Sequence, residues 1–278
     1  MTSHNESDRD SDPTAEHNRK AWNRQADEGC RWSTPVTGEE VAEARAGRPC
    51  IYLTPDTPVP QAWLGRLEAK DVLCLASSGG QQAPLLAAAG ARVTSLDLSE
   101  NQLALDARVA AREALEIVLE RGDMRDLSRF PQGSFDLVVH VTSNVFCPEI
   151  RPVWRECFRV LRPGGELLAG FMNPAFFLFD HDSLEAGGDP TIRFALPVRE
   201  DAEGDPERHA ARLASGEAIE FSHSLDDQIG GQTDAGFHIV GFFEDTWREA
   251  EKINPWFKTT LNTRARKPPT GLPPRDLT

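Results

Sequence analysis

Short apolar runs alternate with helical patterns through the middle of the chain, and this alternation predicts the architecture. Apolar strands are predicted at 72–76, 93–96, 116–120, 135–141 and 166–171. The fourth run is almost wholly apolar, as expected for a strand buried on both faces. Helices are predicted between the strands, at 81–89, 99–114 and 150–161. Strands and helices that alternate in this way form a parallel sheet covered by helices on both faces.

Outside this core the pattern divides the chain into further segments. The predicted segments are a disordered acidic tail at 1–16, a helical cap at 17–60, the α/β domain at 61–265 and a flexible tail at 266–278. The first segment lacks large apolar groups, which disfavours folding. In the cap, Thr37 and Glu40 form a capping box that marks the start of a helix.

The alternation breaks after the fifth strand. Residues 179–216 are acidic, contain three prolines and predict an inserted lid over one end of the sheet. A helix at 224–235 and paired strands at 237–243 and 257–264 follow. We therefore expect a Rossmann-like, doubly wound, seven-stranded α/β sheet that is mostly parallel and has an antiparallel last strand.

Charge and composition exclude several classes of protein. Thirty basic against forty-four acidic side chains leave a net charge of −14, which disfavours nucleic acid as a partner because phosphates are repelled. No apolar run is long enough to cross a membrane, and the N-terminus lacks the pattern of a secretion signal. The five cysteines form no CxxC pair, so reduced thiols in a cytoplasmic protein are expected, without disulfides or a metal site.

The most informative stretch lies between Asp71 and Asp97. An apolar strand ends there in the small-residue turn Ser77-Ser78-Gly79-Gly80, and a helix and a second strand ending on Asp97 follow. In parallel α/β units such a turn lets backbone N–H groups approach a ligand, and the acid binds two ribose hydroxyls. The pattern predicts a cofactor that contains a nucleoside.

Two further signals stand at the next two strand ends, Asp123-Met124 and the segment from His140 to Asn144. Because ligands bind at the carboxyl ends of parallel strands, all four signals converge on one cleft. His140 ends an apolar strand, where an imidazole can accept a proton from a nucleophile. A histidine that only bonds a neighbouring loop is the alternative interpretation.

These signals, with LRPGG at 161–165 and AGF at 235–237, resemble the class I S-adenosylmethionine-dependent methyltransferases of the small-molecule type 11 methyltransferase domain family. The resemblance covers about residues 60–175 well. It implies S-adenosylmethionine as the cofactor, S-adenosylhomocysteine as the product and a small-molecule methyl acceptor. The oligomeric state and the acceptor atom stay open.

The resemblance also implies a role for each signal. The methionine end of the cofactor is assigned to Ala76, Ser78 and Gly80, the ribose to Asp97, the adenine to Asp123 with Met124, and the methyl to Thr142–Asn144. The cofactor-binding candidates are Ala76, Ser77, Ser78, Gly79, Gly80, Asp97, Leu98, Gln102, Asp123, Met124, His140 and Thr142. The catalytic candidates are His140 and Asn144.

The first turn departs from the family pattern. Cys74 stands where the family usually has an acid, and Ala76 and Ser78 stand where it usually has glycines. Alanine still permits close approach of the backbone, and the Ser78 hydroxyl can donate a hydrogen bond to a carboxylate. The departure bears on the affinity for the cofactor more than on its identity.

Two other functions compete with methyl transfer. A nicotinamide-dependent oxidoreductase would need GxGxxG where this chain has AxSGG, and Tyr52 is its only tyrosine, which counts against the short-chain type. A protein that binds the cofactor without turnover would keep Asp97 and Asp123. Trp22, Trp32 and Tyr52, in the expected cap, either face the cofactor sulfonium or pack the cap onto the sheet.

Overall fold

The computed structural model describes residues 12–247, 250 and 252–269. Within these residues seven strands form one sheet: β1 (Asp71–Leu75), β2 (Arg92–Asp97), β3 (Ile117–Arg121), β4 (Phe135–His140), β5 (Leu161–Met172), β6 (His238–Asp245) and β7 (Thr260–Arg266). Their order is β3-β2-β1-β4-β5-β7-β6. The first five pair in parallel, and β7 runs antiparallel to both of its neighbours. The predicted fold class is confirmed.

Helices cover both faces of the sheet. They are α1 (Pro13–Glu28), α2 (Gly38–Arg45), α3 (Gln61–Leu64), α4 (Gln82–Ala88), α5 (Glu100–Glu113), α6 (Arg151–Val160), α7 (His181–Glu185), α8 (Pro206–Ser215) and α9 (Gly231–Asp234). The capping box of Thr37 and Glu40 is present at the start of α2. Among the described residues no helix combines the length and the apolar character that a membrane crossing requires.

Alternation along β1 distributes its side chains between two cores. Val72 and Cys74 pack with α2 and α4, whereas Leu73 and Leu75 pack with α6 and its buried Trp154. Cys74 is fully buried, and this burial raises the pKa of its thiol. The thiol therefore packs as a small apolar side chain.

Order begins earlier than the sequence predicts. Helix α1 starts at Pro13 because the Asp12 carboxylate accepts the Thr14 N–H at 2.9 Å and caps the helix. Residues 12–16, expected in the disordered tail, therefore belong to the folded part. Residues 1–11 of that expected tail lie outside the described residues.

Order also continues past residue 265. Strand β7 ends at Arg266, and Lys267 is buried with its Nζ donating to the carbonyl oxygens of Phe158 and Leu161 at 2.7 and 2.8 Å. A buried ammonium held by two carbonyl groups fixes the chain against α6. The remainder of the expected flexible tail, 270–278, lies outside the described residues.

The expected lid, residues 179–216, contains α7 and α8. Glu200 is buried and pairs with Arg208 and Arg212 of α8 at 3.0 and 2.9 Å, which ties the lid together. After the lid the expected helix at 224–235 is instead a π-helical turn, Asp226–Gly230, followed by α9.

Candidate active site

A cavity of about 360 Å³ lies at the carboxyl ends of β1 to β4. All four predicted strand-end signals reach it. The predicted cofactor residues on its wall are Ala76, Ser78, Asp97, Leu98, Gln102, Asp123, Met124 and Thr142. The predicted residues that are not on its wall are Ser77, Gly79, Gly80, His140 and Asn144.

The turn after β1 is built from left-handed backbone. Ala76, Ser78 and Gly80 have φ of 47°, 66° and 76°. β1 therefore ends at Leu75, one residue before the predicted end, and the chain turns sharply into α4. Side chains disfavour this conformation, which is the physical reason for glycine there in relatives. Ala76 and Ser78 adopt it with their side chains on the cavity wall.

The two glycines of the turn contact protein and not the cavity. The Gly79 N–H donates to Gln102 Oε1 at 2.8 Å, and a Cβ on Gly79 would lie 2.1 Å from the Gln102 carbonyl oxygen. The Gly80 N–H donates to Asp106 Oδ1 at 2.7 Å. Their role is to let the turn pack closely on α5, which positions Ala76 and Ser78.

Asp106 is a supporting residue that the sequence analysis missed. Its carboxylate is 2% exposed and also accepts a hydrogen bond from the Ser95 hydroxyl at 2.7 Å. Burial raises the pKa of Asp106 to about 6. An acid on the apolar face of an amphipathic helix, four residues after Gln102, was the available signal.

Asp97 ends β2 with its carboxylate on the cavity wall. One oxygen accepts the Ser99 N–H at 2.8 Å, and the Ser99 hydroxyl caps the start of α5. Burial raises the pKa of Asp97 to about 7, and the nearby charge of Asp106 adds to the rise. Hydrogen-bond donors supplied by a ligand would stabilise the ionised form.

The loop after β3 is joined to the helical cap. The Arg125 guanidinium lies 2.6 Å from the Asp123 carboxylate and 2.7 Å from that of Asp12, at the start of α1. The two carboxylates raise the pKa of Arg125. Arg125, which no motif singled out, therefore holds α1 over the cavity edge where Asp123 and Met124 lie.

His140 lies in the core behind the cavity. It is fully buried, its Nδ1 lies 2.9 Å from the Leu75 carbonyl oxygen, and its ring packs edge-to-face on Trp154 of α6. Burial lowers the pKa of His140 to about 4, so the ring is neutral near neutral pH. The ring is thus bonded to the last residue of β1 rather than to a neighbouring loop, and it faces α6 and not the cavity.

Asn144 is also fully buried away from the cavity. Its Nδ2 donates to Gln228 Oε1 at 2.9 Å, and its carbonyl oxygen lies 3.0 Å from Nε2 of His223. It joins the loop after β4 to the π-helical turn. Thr142 lies on the wall, and its hydroxyl donates to the Leu53 carbonyl oxygen at 2.9 Å.

Part of the cavity wall is aromatic. Trp22, Trp32 and Tyr52 all line it, and sequence analysis had left open whether they face the cofactor or only pack. Further aromatic lining residues that no motif predicted are Phe146, Phe176, Phe177 and Trp247. Trp22 meets Phe146 edge-to-face with ring centroids 4.9 Å apart. No residue of the lid itself, 179–216, lines the cavity; the segments that flank the lid do.

Known proteins are similar to this chain in sequence and in fold. A family model described as "Methyltransferase domain" matches residues 73–169. "Uncharacterized methyltransferase YbaJ" of Bacillus subtilis (strain 168) is 46% identical over 230 residues, which cover 82% of this chain and 89% of that protein. The chain therefore belongs to the same methyltransferase family as this Bacillus subtilis protein. A sterol 24-C-methyltransferase of Aspergillus fumigatus is 34% identical over 101 residues, 36% of this chain and 26% of that protein.

The fold is that of solved S-adenosylmethionine-dependent methyltransferases. One from Mesorhizobium loti aligns with a TM-score of 0.56 at 21% identity, covering 74% of this chain and 94% of that chain. Taken with the family membership, this makes the protein a methyltransferase enzyme whose cofactor is S-adenosylmethionine, as the resemblance implied.

The residues at the cavity fit that cofactor. Asp97 offers a carboxylate at the end of β2, which suits two ribose hydroxyls. Leu98 and Met124 add apolar surface to the same wall, as a nucleobase requires. Left-handed Ala76 and Ser78 bring backbone to the surface without a long side chain in the way.

Proposed function

We propose that the enzyme transfers the methyl group to a nucleophile on a small molecule held against the aromatic wall of the cavity. The supporting observation is that the strand-end loops and the aromatic side chains line one cavity of about 360 Å³, within the usual range of small-molecule sites. The net charge of −14 favours a small molecule over nucleic acid. The sterol named for the Aspergillus relative does not extend to this chain, because that match covers 36% of it.

In this proposal the cofactor residues act by holding and orienting. Asp97 accepts hydrogen bonds from the ribose, Asp123 and Met124 bind the adenine, and Ala76 and Ser78 face the methionine end. Gln102 at the wall and Asp106 behind it support this arrangement, because they hold the N–H groups of the turn. A shift in that turn would move the whole binding wall, and reaction rates depend steeply on such placement.

The bound cofactor supplies an already activated methyl group, so little acid–base chemistry is asked of the chain. The buried, neutral His140 is consistent with this, since its ring bonds the Leu75 carbonyl oxygen of β1 and does not reach the cavity. The aromatic wall excludes water and presents the acceptor in line with the methyl. Thr142, whose hydroxyl donates to the Leu53 carbonyl oxygen, forms the edge of the acceptor space beside the methyl group.

Transfer of a labelled methyl group tests the proposal. The protein is incubated with methyl-labelled S-adenosylmethionine and a cell extract divided by ultrafiltration into low-mass and macromolecular fractions. Label should appear in products of the low-mass fraction, and the Asp97→Ala variant should lose it. Label only in the macromolecular fraction would overturn the small-molecule acceptor.

A further inference from the structure

Charged side chains on the cavity wall come from three parts of the molecule, one of which is the helical cap with Arg31, paired with Asp56 at 3.8 Å. Those on the cofactor side are Asp97, Asp123 and Arg125, after β2 and β3. Glu220, by contrast, lies in the segment that follows α8, where no cofactor motif falls. Its carboxylate is therefore a polar group of the wall that the proposed cofactor contacts leave without a role.

Hydrogen bonds fix the backbone on both sides of Glu220. The Ile219 N–H donates to Asn18 Oδ1 of α1 at 2.8 Å, and the Phe221 N–H donates to the Val145 carbonyl oxygen at 2.8 Å. The segment is thus held between α1 and the loop after β4. Glu220 is presented to the cavity from a rigid position, as a recognition residue must be.

The Glu220 carboxylate has no direct ion-pair partner among the described residues, and its side chain makes no hydrogen bond there. Its backbone N–H donates to Glu200 Oε2 at 3.0 Å, and Arg208 and Arg212 both pair with Glu200. Burial, with the charge of Glu200, raises the pKa of Glu220 to about 7, although the more distant charges of Arg212 and Arg208 lower it. A cation from a ligand in direct contact would offset the desolvation.

The same cavity is rich in aromatic rings. Trp22 and Phe146 form one pair at 4.9 Å, and Phe176 and Trp247 form another at 5.5 Å. Aromatic faces attract organic cations, and a carboxylate supplies the opposite charge. A neutral or anionic acceptor would leave Glu220 uncompensated or repelled.

We propose that the methyl acceptor is an organic amine on an apolar frame, whose ammonium group pairs with Glu220 while the frame packs on the aromatic wall. Glu220 is then the residue that selects the acceptor. This inference rests on the proposed function, since it names the substrate class for the same cavity. The paired ammonium nitrogen has no lone pair, so the methyl group goes to another nucleophilic atom of the acceptor, and S-adenosylhomocysteine is the leaving group; which atom this is stays open.

The labelled-methyl assay with the low-mass extract provides the test, with products separated from the cofactor and sorted by charge on ion-exchange resin. We expect the labelled product to be cationic. Glu220→Gln should lower its rate of formation by about tenfold or more, the loss of one partly desolvated ion pair. The affinity for S-adenosylhomocysteine, measured by calorimetry, should be unchanged.

A matched control separates charge from position. Glu217→Gln removes the same charge three residues away, from an exposed side chain that pairs with Arg212 and does not line the cavity. It should leave product formation unchanged. Thermal unfolding of both variants checks that they fold.

Three results would overturn the inference. They are a labelled product that is neutral or anionic, a Glu220→Gln variant with undiminished rate, and a Glu220→Gln variant with weakened S-adenosylhomocysteine binding, which would assign Glu220 to the cofactor. Absence of any labelled low-mass product from the unaltered enzyme would instead count against the proposed function itself.

Discussion

The strand-end loops and the segments that flank the lid form two walls of one cavity, and they are held in place by different means. The loop after β2 is held by the Ser99 N–H on Asp97 at 2.8 Å, and the turn after β1 by hydrogen bonds to the adjacent helix α5. The segment after the lid is held by contacts between residues much farther apart in sequence, such as Asn18 with Ile219. In the proposed function the first wall holds the cofactor and the second selects the acceptor.

The largest expected effect lies in the lid. Glu200→Ala would leave Arg208 and Arg212 without their shared carboxylate, and breaking a buried ion pair costs about 3 kcal/mol. The free energy of unfolding should fall by about that amount in urea denaturation. Binding of S-adenosylhomocysteine should be retained. If affinity and stability fell together, the two walls would not be independent.

The reciprocal experiment targets the cofactor wall. Asp97→Ala should weaken binding of S-adenosylhomocysteine by about 2 kcal/mol, roughly thirtyfold, because two ribose hydroxyls lose a charged acceptor. Unliganded stability should not fall, since the carboxylate is desolvated there. Calorimetry gives the affinity. An undiminished affinity would place the ribose elsewhere in the cavity.

The pH dependence of stability tests the burial of the Asp97 carboxylate. The folded-state pKa of Asp97 is raised from 3.8 to about 7, so the folded protein holds the proton more tightly than the unfolded chain. Its contribution to stability is therefore present below about pH 4 and is lost as the pH rises towards about 7. Asp97→Asn should stabilise the unliganded protein near pH 8, by on the order of 1 kcal/mol, and less near pH 5. Thermal scans at both pH values would show the reverse order if Asp97 were stabilised by charge.

The smallest effect concerns the left-handed turn. Ala76→Gly should raise the free energy of unfolding by about 0.5 kcal/mol, because glycine adopts φ of 47° without strain. Ala114→Gly, at φ of 52° on the C-terminal end of α5, is the matched control outside the cavity. Both should gain stability in urea denaturation. A loss at Ala76 alone would show that its methyl group packs usefully on the cavity wall.

The sequence predicted which strand-end residues line the cavity, because the motifs that identify them are local. Each of Ala76, Asp97, Asp123 and Thr142 lies within two residues of a strand end, so the common direction of the parallel strands brings all four to the same edge of the sheet. The structure places all four on the cavity wall. The mostly parallel sheet with an antiparallel last strand was likewise predicted, whereas the strand order came from the structure.

The same reasoning could not decide which way the side chains at the ends of β4 point. Because β4 is apolar on both faces, its pattern carries no information about which face His140 takes. Only the register with β1, where His140 lies beside Leu75, directs the ring to Trp154 and α6. Asn144 follows the same packing into the core.

What the sequence by itself determined is the fold class and, through the resemblance of its motifs, the cofactor, since the alternation of strands and helices and each strand-end motif are local patterns in the chain. Only the tertiary structure decided that Asp106 supports the first turn and that Glu220 faces the cavity. Gly80 and Asp106 are 26 residues apart, and Asn18 and Ile219 are 201 apart. Such pairings arise when the whole chain packs, and no local pattern of apolar and polar residues encodes them.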